Sequence, residues 1–500
     1  MILNPEEIAE AENQLIEGGL NPEPLMDEAG LGIAKAVFQF FPNPGTLIVF
    51  IGSGHNGGDA LVAAKHLKKN GWTTQLRLAT SPNQLKPLTT KKLHQFEREK
   101  INPISEISGP QHHQLILLDG LLGIGASGEL RPGYLEAANE MNELRKTHAA
   151  HTFSIDIPSG LNGLSGEPYE GAVIADFTLT IAHPKTGLLA DQAINNVGRL
   201  ALIELPSIRP LPGQGDTGAL LITASSLAEK NRRLEHDAHK GTCGHIGIIG
   251  GNNGMKGAAV LASTGASRGG AGLVTIIARE DSYQSLSAMA PPEIMVRSVK
   301  SYAEVSDMDF DTLAIGPGLG QGSWDDEILD LLISDIRPTV VDADALNLLA
   351  RNEPSDLVNA PAPRLLTPHP GEMHRLCPEI SGSRRERAEK LAGMTNSTVL
   401  FKGARTVIAS ESETRPTGYN STGNYGMATG GVGDTLTGLC SALIGGGISV
   451  YDAACLGSWI NGRAAEHAIF NDKESRRSLL ASDLPKHYGQ AFKDLERYSF

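Results

Sequence analysis

The sequence predicts an α/β protein of two domains, each a mainly parallel sheet flanked by helices. Three observations predict it. Short, uninterrupted apolar runs recur along the chain, the pattern of strands buried on both faces. Most of these runs end in a polar or glycine-rich loop and lead into a helical segment, as in βα units. Between the two halves lies Leu205-Pro206-Ser207-Ile208-Arg209-Pro210-Leu211-Pro212-Gly213-Gln214-Gly215, rich in Pro and Gly and without hydrophobic period. The expected domains are residues 1–213 and 222–498, each long enough for its own core.

Composition agrees. The 500-residue chain has 57 glycines and only 5% aromatics, which suits many tight strand-to-helix turns. A net charge of −14 argues against non-specific nucleic-acid binding, so no nucleic-acid partner is expected. Cys243, Cys377, Cys440 and Cys455 lie far apart with no CxxC spacing. That argues against a zinc ribbon or disulfide framework and fits a reducing, cytoplasmic location. The acidic, helical N-terminus lacks the basic-then-apolar pattern of a signal peptide. No apolar run approaches the ~18 residues of a membrane span, so no membrane partner is expected either.

In the first half, residues 5–17 read as a helix opened by Pro5, and Leu25 to Phe41 as a second, with Pro22 and Pro24 between them as breakers. Thr46 to Ile51 reads as a buried strand. A loop, Gly52-Ser53-Gly54-His55-Asn56-Gly57-Gly58-Asp59, follows, and then a helix from Ala60 to Leu67. Strand, Gly-rich loop and helix is the geometry that cradles phosphate, although this loop is neither GxGxxG nor a Walker sequence. Leu115 to Leu118 is a second strand, ending in Asp119-Gly120 and a loop from Leu121 to Glu129. Thr152 to Ile155 leads into Asp156-Ile157-Pro158-Ser159-Gly160. Phe177 to Ile181 leads into Ala182-His183-Pro184-Lys185. One strand-end Asp is readily a helix cap. Several in succession point to a ligand site at the carboxyl ends of the strands.

The stretches LNPEEIAEAE, PLMDEAG, GSGHNGGDALVAAKHL, LLDGLLGIGASGEL and SIDIPSGLNG resemble the N-terminal YjeF-type NAD(P)H-hydrate epimerase domain, a Rossmann-like fold. The likeness covers about residues 1–210. It implies that the hydrated dinucleotides NADHX and NADPHX contact Asn56, Gly57, Gly58 and Asp59, and Gly123, Ile124, Gly125, Ala126, Ser127, Gly128 and Glu129. It further implies a potassium ion on Asn56, Asp119 and Ser159, which are hard oxygen ligands. Asp156 would be the acid/base residue and a substrate contact. Relatives often carry Asn where His55 stands and Gly where Ala60 stands.

The second half opens with His239 to His245, then a strand, Ile246 to Ile249, the loop Gly250 to Gly257, and an Ala-rich helix from Ala258 to Ser267. Leu273 to Ala278 is the next strand. Leu313 to Ile315 leads into Gly316-Pro317-Gly318-Leu319-Gly320. Thr339 to Val341 leads into Asp342-Ala343-Asp344, Leu365 to Thr367 into Pro368-His369-Pro370, and Thr398 to Phe401 into Lys402-Gly403-Ala404-Arg405-Thr406. Asp342 and Asp344 read either as helix caps or as acids that hold Mg²⁺ through water. Near the end, Gly426-Met427-Ala428-Thr429-Gly430-Gly431-Val432-Gly433-Asp434 precedes a helical run from Thr435 to Leu443. Converging backbone N–H groups and a helix N-terminus make an anion hole there. Asp434 reads as an N-cap or as a base at its lip.

HKGTCGH, GGNNGMKGAA, GPGLG, DADALN, TPHPGEM, KGARTVI and GMATGGVGD resemble the ribokinase-like superfamily, and within it the NAD(P)H-hydrate dehydratases. The likeness implies that Ala258, Gly318, His369 and Asp434 contact the hydrated dinucleotide. Lys402, Gly403, Ala404, Arg405, Thr406 and Gly433 would hold ADP, or ATP, with its Mg²⁺. Relatives often have Thr where Val432 stands. Together the two likenesses imply one bifunctional repair enzyme. The first domain would interconvert R- and S-NAD(P)HX through Asp156. The second would phosphorylate the S form at the expense of ADP, with Asp434 as base, and release NAD(P)H, AMP and phosphate. A homo-oligomer is compatible with this reading. The alternative is an ATP-dependent kinase of a vitamin or sugar that carries a non-catalytic N-terminal binding module.

Overall fold

The computed structural model describes residues 1–96, 114–216, 218–412 and 414–497. They form two compact units, Met1–Thr217 and Gly218–Ser499. The break thus falls just after the Pro/Gly-rich stretch. The expected limit at residue 498 lies outside the described residues.

In the first unit, α1 (Pro5–Glu17) and α2 (Pro22–Phe40) precede β1 (Thr46–Ile51). Both helices open on a proline, whose missing N–H is no loss in a first turn. Both are capped by asparagine: the Glu7 and Glu23 amides donate to Asn4 and Asn21 side chains at 2.8 and 3.0 Å. Pro22 therefore starts α2 instead of separating it from α1, and α2 begins before Leu25. The chain continues through α3 (His55–Lys69), β2 (Thr73–Leu78), α4 (Pro87–Gln95), β3 (Leu115–Gly120) and α5 (Pro132–Thr147). It ends with β4 (His151–Ile155), β5 (Phe177–Ile181), α6 (Ile194–Val197) and β6 (Arg199–Ile203). The strands form one parallel sheet in the order β2-β1-β3-β4-β5-β6. Both strands missing from the sequence reading, β2 and β6, are its edges; β2 breaks its apolar run with Gln75 and Arg77, both buried. The order reverses between β1 and β3, and a crevice opens outside their carboxyl ends at such a switch point.

The second unit begins with β7 (Ala219–Leu221), a strand ahead of residue 222, and α7 (Ala224–Ala228). Then come β8 (His245–Ile249), α8 (Lys256–Arg268), β9 (Leu273–Arg279), α9 (Glu280–Met289), β10 (Met295–Val299) and β11 (Thr312–Ile315). They are followed by α10 (Asp325–Ser334), β12 (Thr339–Val341), α11 (Ala343–Arg351), β13 (Arg364–Leu366), α12 (Pro370–Leu376), α13 (Arg384–Thr395) and β14 (Thr398–Phe401). Last are β15 (Thr406–Ala409), β16 (Thr417–Asn420), α14 (Val432–Gly445), α15 (Val450–Phe470) and α16 (Leu484–Glu496). Ten strands form one sheet, β10-β9-β8-β11-β12-β13-β14-β15-β16-β7, parallel except where β15 meets β14 and β16. Its switch point lies between β8 and β11.

One core cluster joins Val340, Leu365, Leu400 and Ile408 of the sheet to Leu436, Leu439 and Leu443 of α14 and to Trp459 and Ile460 of α15. On the neighbouring part of the sheet, α8 lies along α14 in parallel. Gly431 faces Leu261, Gly265 faces the Thr435 backbone and Gly269 faces Leu439. Small residues let these two backbones approach closely, and parallel packing brings both helix N-termini to one end of the sheet. Among the described residues, no helix is long and apolar enough to cross a membrane.

Candidate active sites

In the first unit, Asn56 to Asp59 form the first turn of α3 and not a loop, because α3 already begins at His55. Gly57 and Gly58 are buried, against the Gly52 carbonyl and Met26 respectively. Asn56 is buried at the carboxyl ends of the strands. Its amide nitrogen donates to Leu122 O at 2.8 Å and Ile155 O at 3.2 Å, which ties the loop after β3 to the end of β4. Gly123 lies over the same spot. A methyl group placed on it would sit 3.6 Å from the Asn56 side chain and 3.7 Å from Asp156 Oδ2. Fold and site agree here: Asn56, Gly123 and Asp156 are brought together. Residues Gly125 to Glu129 continue outward and are exposed.

Asp119, at the end of β3, is completely buried. Its carboxylate accepts from Ser159 Oγ at 2.7 Å, Ser154 Oγ at 2.8 Å, Ser159 N at 2.9 Å and Leu121 N at 3.2 Å. All four donors are neutral. Burial pushes this carboxyl up, against the pull of those hydrogen bonds. With the Asn56 amide nitrogen committed to two carbonyls, its oxygen is the end available to a cation. The Ser159 hydroxyl, which donates to Asp119, also accepts from Leu122 N at 3.0 Å; a carboxyl, an amide oxygen and a hydroxyl are all oxygen donors, the chemistry that suits a cation of low charge.

Asp156 follows β4 in a left-handed conformation, φ 68°, unusual for a residue other than glycine. It is the middle of a three-residue turn, in which Ile157 N donates to Ile155 O at 2.8 Å. Its Oδ1 accepts from Ile181 N at 3.1 Å and from the ammonium of Lys185. Lys185 is only 1% exposed. Two more carboxyls share this environment. Burial, and then the charge of Asp156, pushes Glu12 up; burial, Asp156 and Glu12 push Asp59 well above the usual carboxylate range. Sequence reasoning saw Lys185 only as a polar strand end and missed Glu12 altogether. The one available signal was a lysine closing a strand-end loop that resembles the one after β4.

In the second unit, the loops after β8 and β11 are joined at the switch point. Gly251 N donates to Pro317 O at 2.9 Å, Asn252 N donates to Gly318 O at 2.8 Å, and the buried Asn252 amide donates to Leu319 O. Gly318 has φ 61°, and a methyl group there would meet Met255 O at 2.4 Å and the Ala258 methyl at 3.1 Å. Gly318 and Ala258 thus lie side by side at the N-terminus of α8.

At the other N-terminus, Gly431 is the cap of α14, with φ 92° and Leu261 packed against it. Val432, Gly433 and Asp434 form the first helical turn, so Asp434 is not the cap. A methyl group on Gly433 would lie 3.2 Å from Lys402 Nζ and 3.7 Å from Asp342 Oδ2, which places these charges beside the turn. Lys402 donates to Asp342 Oδ1 at 2.6 Å and lies 3.9 Å from Glu372 Oε2. Asp342 Oδ2 accepts from Thr437 at 2.7 Å. Asp342 occupies the cap position of α11 but makes no capping bond; both its oxygens are committed to Lys402 and Thr437. Asp344 accepts from Gly320 N at 2.8 Å.

These charges set the titration of the site. Burial alone would raise Asp342, but Lys402 together with hydrogen bonds from Thr437 and Thr367 holds that carboxyl below its usual range. Burial would lower the Lys402 ammonium, but Asp342 and Glu372 hold it up. Burial pushes Glu372 to about 6. Asp434 has no such ammonium of its own. Burial and then the charge of Asp342 push it to about 7, with Lys402 opposing. A carboxyl that titrates near neutrality beside two helix N-termini suits proton transfer next to an anion.

His369 caps α12: its Nδ1 accepts from Gly371 N at 2.9 Å and Glu372 N at 3.3 Å, while Glu372 accepts from His369 N at 2.8 Å. Through Glu372 it is linked to Lys402. Lys402 to Thr406 make the turn between antiparallel β14 and β15, with Gly403 and Ala404 exposed and Arg405 buried. Arg384 donates to the carbonyls of Phe401 and Lys402, both at 2.9 Å. Sequence reasoning assigned no role to Thr437, Glu372 or Arg384; Thr437 and Arg384 bond to residues remote in the chain, and Glu372 bonds to His369 three residues before it.

Residues 22–187 match the family model described as YjeF-related protein N-terminus, and residues 246–487 that of NAD(P)H-hydrate dehydratase. A bifunctional NAD(P)H-hydrate repair enzyme of Coxiella burnetii is 33% identical over 488 residues, covering 96% of this chain and 97% of the relative. The Escherichia coli enzyme of that name is 34% identical, covering 93% and 88%. Among solved structures, the ADP/ATP-dependent NAD(P)H-hydrate dehydratase of Bacillus subtilis, co-crystallised with ATP/Mg²⁺, is 28% identical with a TM-score of 0.50; it covers 56% of this chain and 100% of its own. The chain belongs to the family of bifunctional NAD(P)H-hydrate repair enzymes.

Proposed function

We propose that this chain repairs hydrated NADH and NADPH at two sites. The first unit interconverts the R and S epimers. The second dehydrates the S epimer at the expense of ADP, giving NAD(P)H, AMP and phosphate. The observation that carries the reading is Asp434, a carboxyl poised near neutral pH between the anion-binding turn Gly431 to Gly433 and the Lys402–Asp342 pair.

In the second unit, Asp434 takes the proton of the ring hydroxyl as that oxygen attacks the terminal phosphoryl group of the nucleotide. The backbone amides at the start of α14 face the charge that develops on the phosphoryl oxygens. Lys402 adds positive charge at the same place. The hydroxyl has now become phosphate, a far better leaving group. The ring nitrogen expels it, and loss of the neighbouring carbon-bound proton restores the double bond. Ala258 and Gly318 line the hydrate's side of the site and His369 its rim; Gly403 to Thr406 and Gly433 lie on the nucleotide's side. Mg²⁺ would come with the nucleotide's phosphates. Asp344, which has one oxygen on Gly320 N, is better placed to meet its water shell than the fully committed Asp342.

In the first unit, Asp156 moves the proton during epimerisation, with the hydrate held by Asn56 to Asp59 and the loop Gly123 to Glu129. A potassium ion held by Asn56, Asp119 and Ser159 would supply positive charge beneath the ligand. The protein's part is to keep Asp119 buried and oriented by its four donors.

The test is to incubate the chain with hydrated NADH and with ADP or ATP separately. Return of reduced-nicotinamide absorbance together with release of inorganic phosphate is expected. A stable phosphorylated product without recovery of absorbance would make the second unit a kinase instead.

A further inference from the structure

Two neighbouring strands of the first unit end in the same unusual way. After β4, Asp156 (φ 68°) is the middle of a three-residue turn closed by Ile157 N to Ile155 O at 2.8 Å. After β5, Ala182 (φ 59°) is the middle of another, closed by His183 N to Ile181 O at 2.7 Å. Such turns are strained for residues other than glycine, and strain of this kind gathers where a side chain must be aimed. The second turn brings Lys185 back over the first.

The Lys185 ammonium donates to Asp156 Oδ1, to Thr180 Oγ1 at 3.1 Å and to Ile181 O at 2.9 Å. Its three protons are therefore all committed to protein. The N-terminal segment holds the lysine's backbone from the other side: Leu3 N donates to Pro184 O and Thr186 N donates to Leu3 O, both at 3.0 Å. Asp156 Oδ1 also accepts from Ile181 N at 3.1 Å. Oδ2 is the oxygen turned towards Gly123, 3.7 Å from where a methyl group on that glycine would sit. The other titratable groups facing the pair are Glu12 of α1 and Asp59 of α3, both raised by burial and then by the charge of Asp156, and His183 beside Lys185. Lys185 is the ammonium that bonds Asp156 among them.

We infer that Lys185 is a positioning residue: it locks Oδ1 of Asp156, so that Oδ2 alone is offered to the substrate. A free carboxylate has two basic oxygens and a rotating axis, whereas this one has a single working oxygen aimed at the loop that lines the crevice. Lys185 itself has no proton to give the ligand. The inference rests on the proposed epimerase reading of this unit.

The experiment compares Lys185→Met, Lys185→Gln, Asp156→Asn and the double variant Lys185→Met/Asp156→Asn, measuring epimerisation of hydrated NADH by separation of the two epimers. Lys185→Met is expected to lower kcat by about tenfold or more, with KM changed by less than about twofold. Lys185→Gln, which keeps a donor to Oδ1, is expected to fall between Lys185→Met and the wild type. The double variant is expected to be no worse than Asp156→Asn, because a residue acting through Asp156 has nothing left to act on. A lysine that merely stabilises the fold would instead give losses that multiply. Multiplying losses, or a kcat for both Lys185 variants within about twofold of wild type, overturns the inference. Should Lys185→Met not fold, by circular dichroism, the Lys185→Gln variant and its own double variant with Asp156→Asn decide by the same criteria. If the wild-type chain does not interconvert the epimers, it is the epimerase reading that fails.

Discussion

The two units place a carboxylate at the same kind of position and poise it in opposite ways. Both sheets reverse their strand order once, and in both an acid stands at the carboxyl end of the sheet, after a strand in one and in the first turn of a helix in the other. In the first, the acid is clamped: Asp156 has the buried ammonium of Lys185 on one oxygen. In the second, the ammonium goes to a different acid. Lys402 pairs with Asp342, and Asp434 is left with burial and the repulsion of Asp342. Within the second unit Lys402 holds Asp342 below its usual range and leaves Asp434 above it, so what matters there is which acid the lysine's hydrogen bond reaches.

The sharpest way to break this comparison is to remove each acid in turn. Asp434→Ala should lower dehydration of the S epimer by ~10²–10⁴-fold, the usual contribution of a general base, while epimerisation persists. Asp156→Ala should do the reverse. Loss of both activities in either variant would mean that the two sites do not work independently.

Next comes Lys402→Met. It leaves Asp342 buried without its partner, a change that typically costs ~3–5 kcal/mol. The second unit should melt markedly lower, and the KM for ADP should rise. Calorimetry and initial rates check both; a variant as stable as wild type would mean that Asp342 finds another partner.

A third prediction concerns pH. Asp434 works as a base only when ionised, so dehydration should fall off as pH drops through about 7. Asp342→Asn removes the like charge that raises Asp434 and leaves Lys402 to lower it, so the acid limb of the kcat profile should move down. The same shift has a sign in stability. A carboxyl raised in the folded state stabilises most when protonated, below the unfolded value of 3.8, and that contribution is lost as pH rises through about 7. Asp434→Asn should therefore melt higher than wild type at alkaline pH and lose this advantage in acid, in a thermal scan against pH. The smallest expected effect is that of Val432→Thr, which restores a hydroxyl beside the anion-binding turn. Because the backbone N–H is unchanged, dehydration should shift by less than about threefold, as initial rates at low ADP would show.

Much of this was legible in advance. Buried parallel strands write themselves as apolar runs, so β1, β5, β12 and β14 were placed to the residue. The edge strands β2, β6, β7 and β10 and the interior strands β15 and β16 were not read; β2 and β10 break their apolar residues with polar ones, and β7 is three residues long. Helix starts were misjudged wherever glycine replaced a recognisable cap. His55 and Val432 begin helices behind Gly54 and Gly431, and this turned Asn56 to Asp59 and Asp434 from loop residues into first-turn residues. The candidate acids could be read because each follows an apolar run. Their partners could not. Lys185 is 29 positions from Asp156, Lys402 is 60 from Asp342 and Thr437 is 95 from Asp342.

The sequence by itself determined the two α/β layers, the division between them, and the acids at the strand ends, because each depends on patterns only a few residues long. Tertiary structure alone decided which ammonium meets which acid. A pairing over that chain distance is set by strand order and helix packing, and from it follows which carboxylate is held and which is left to take a proton.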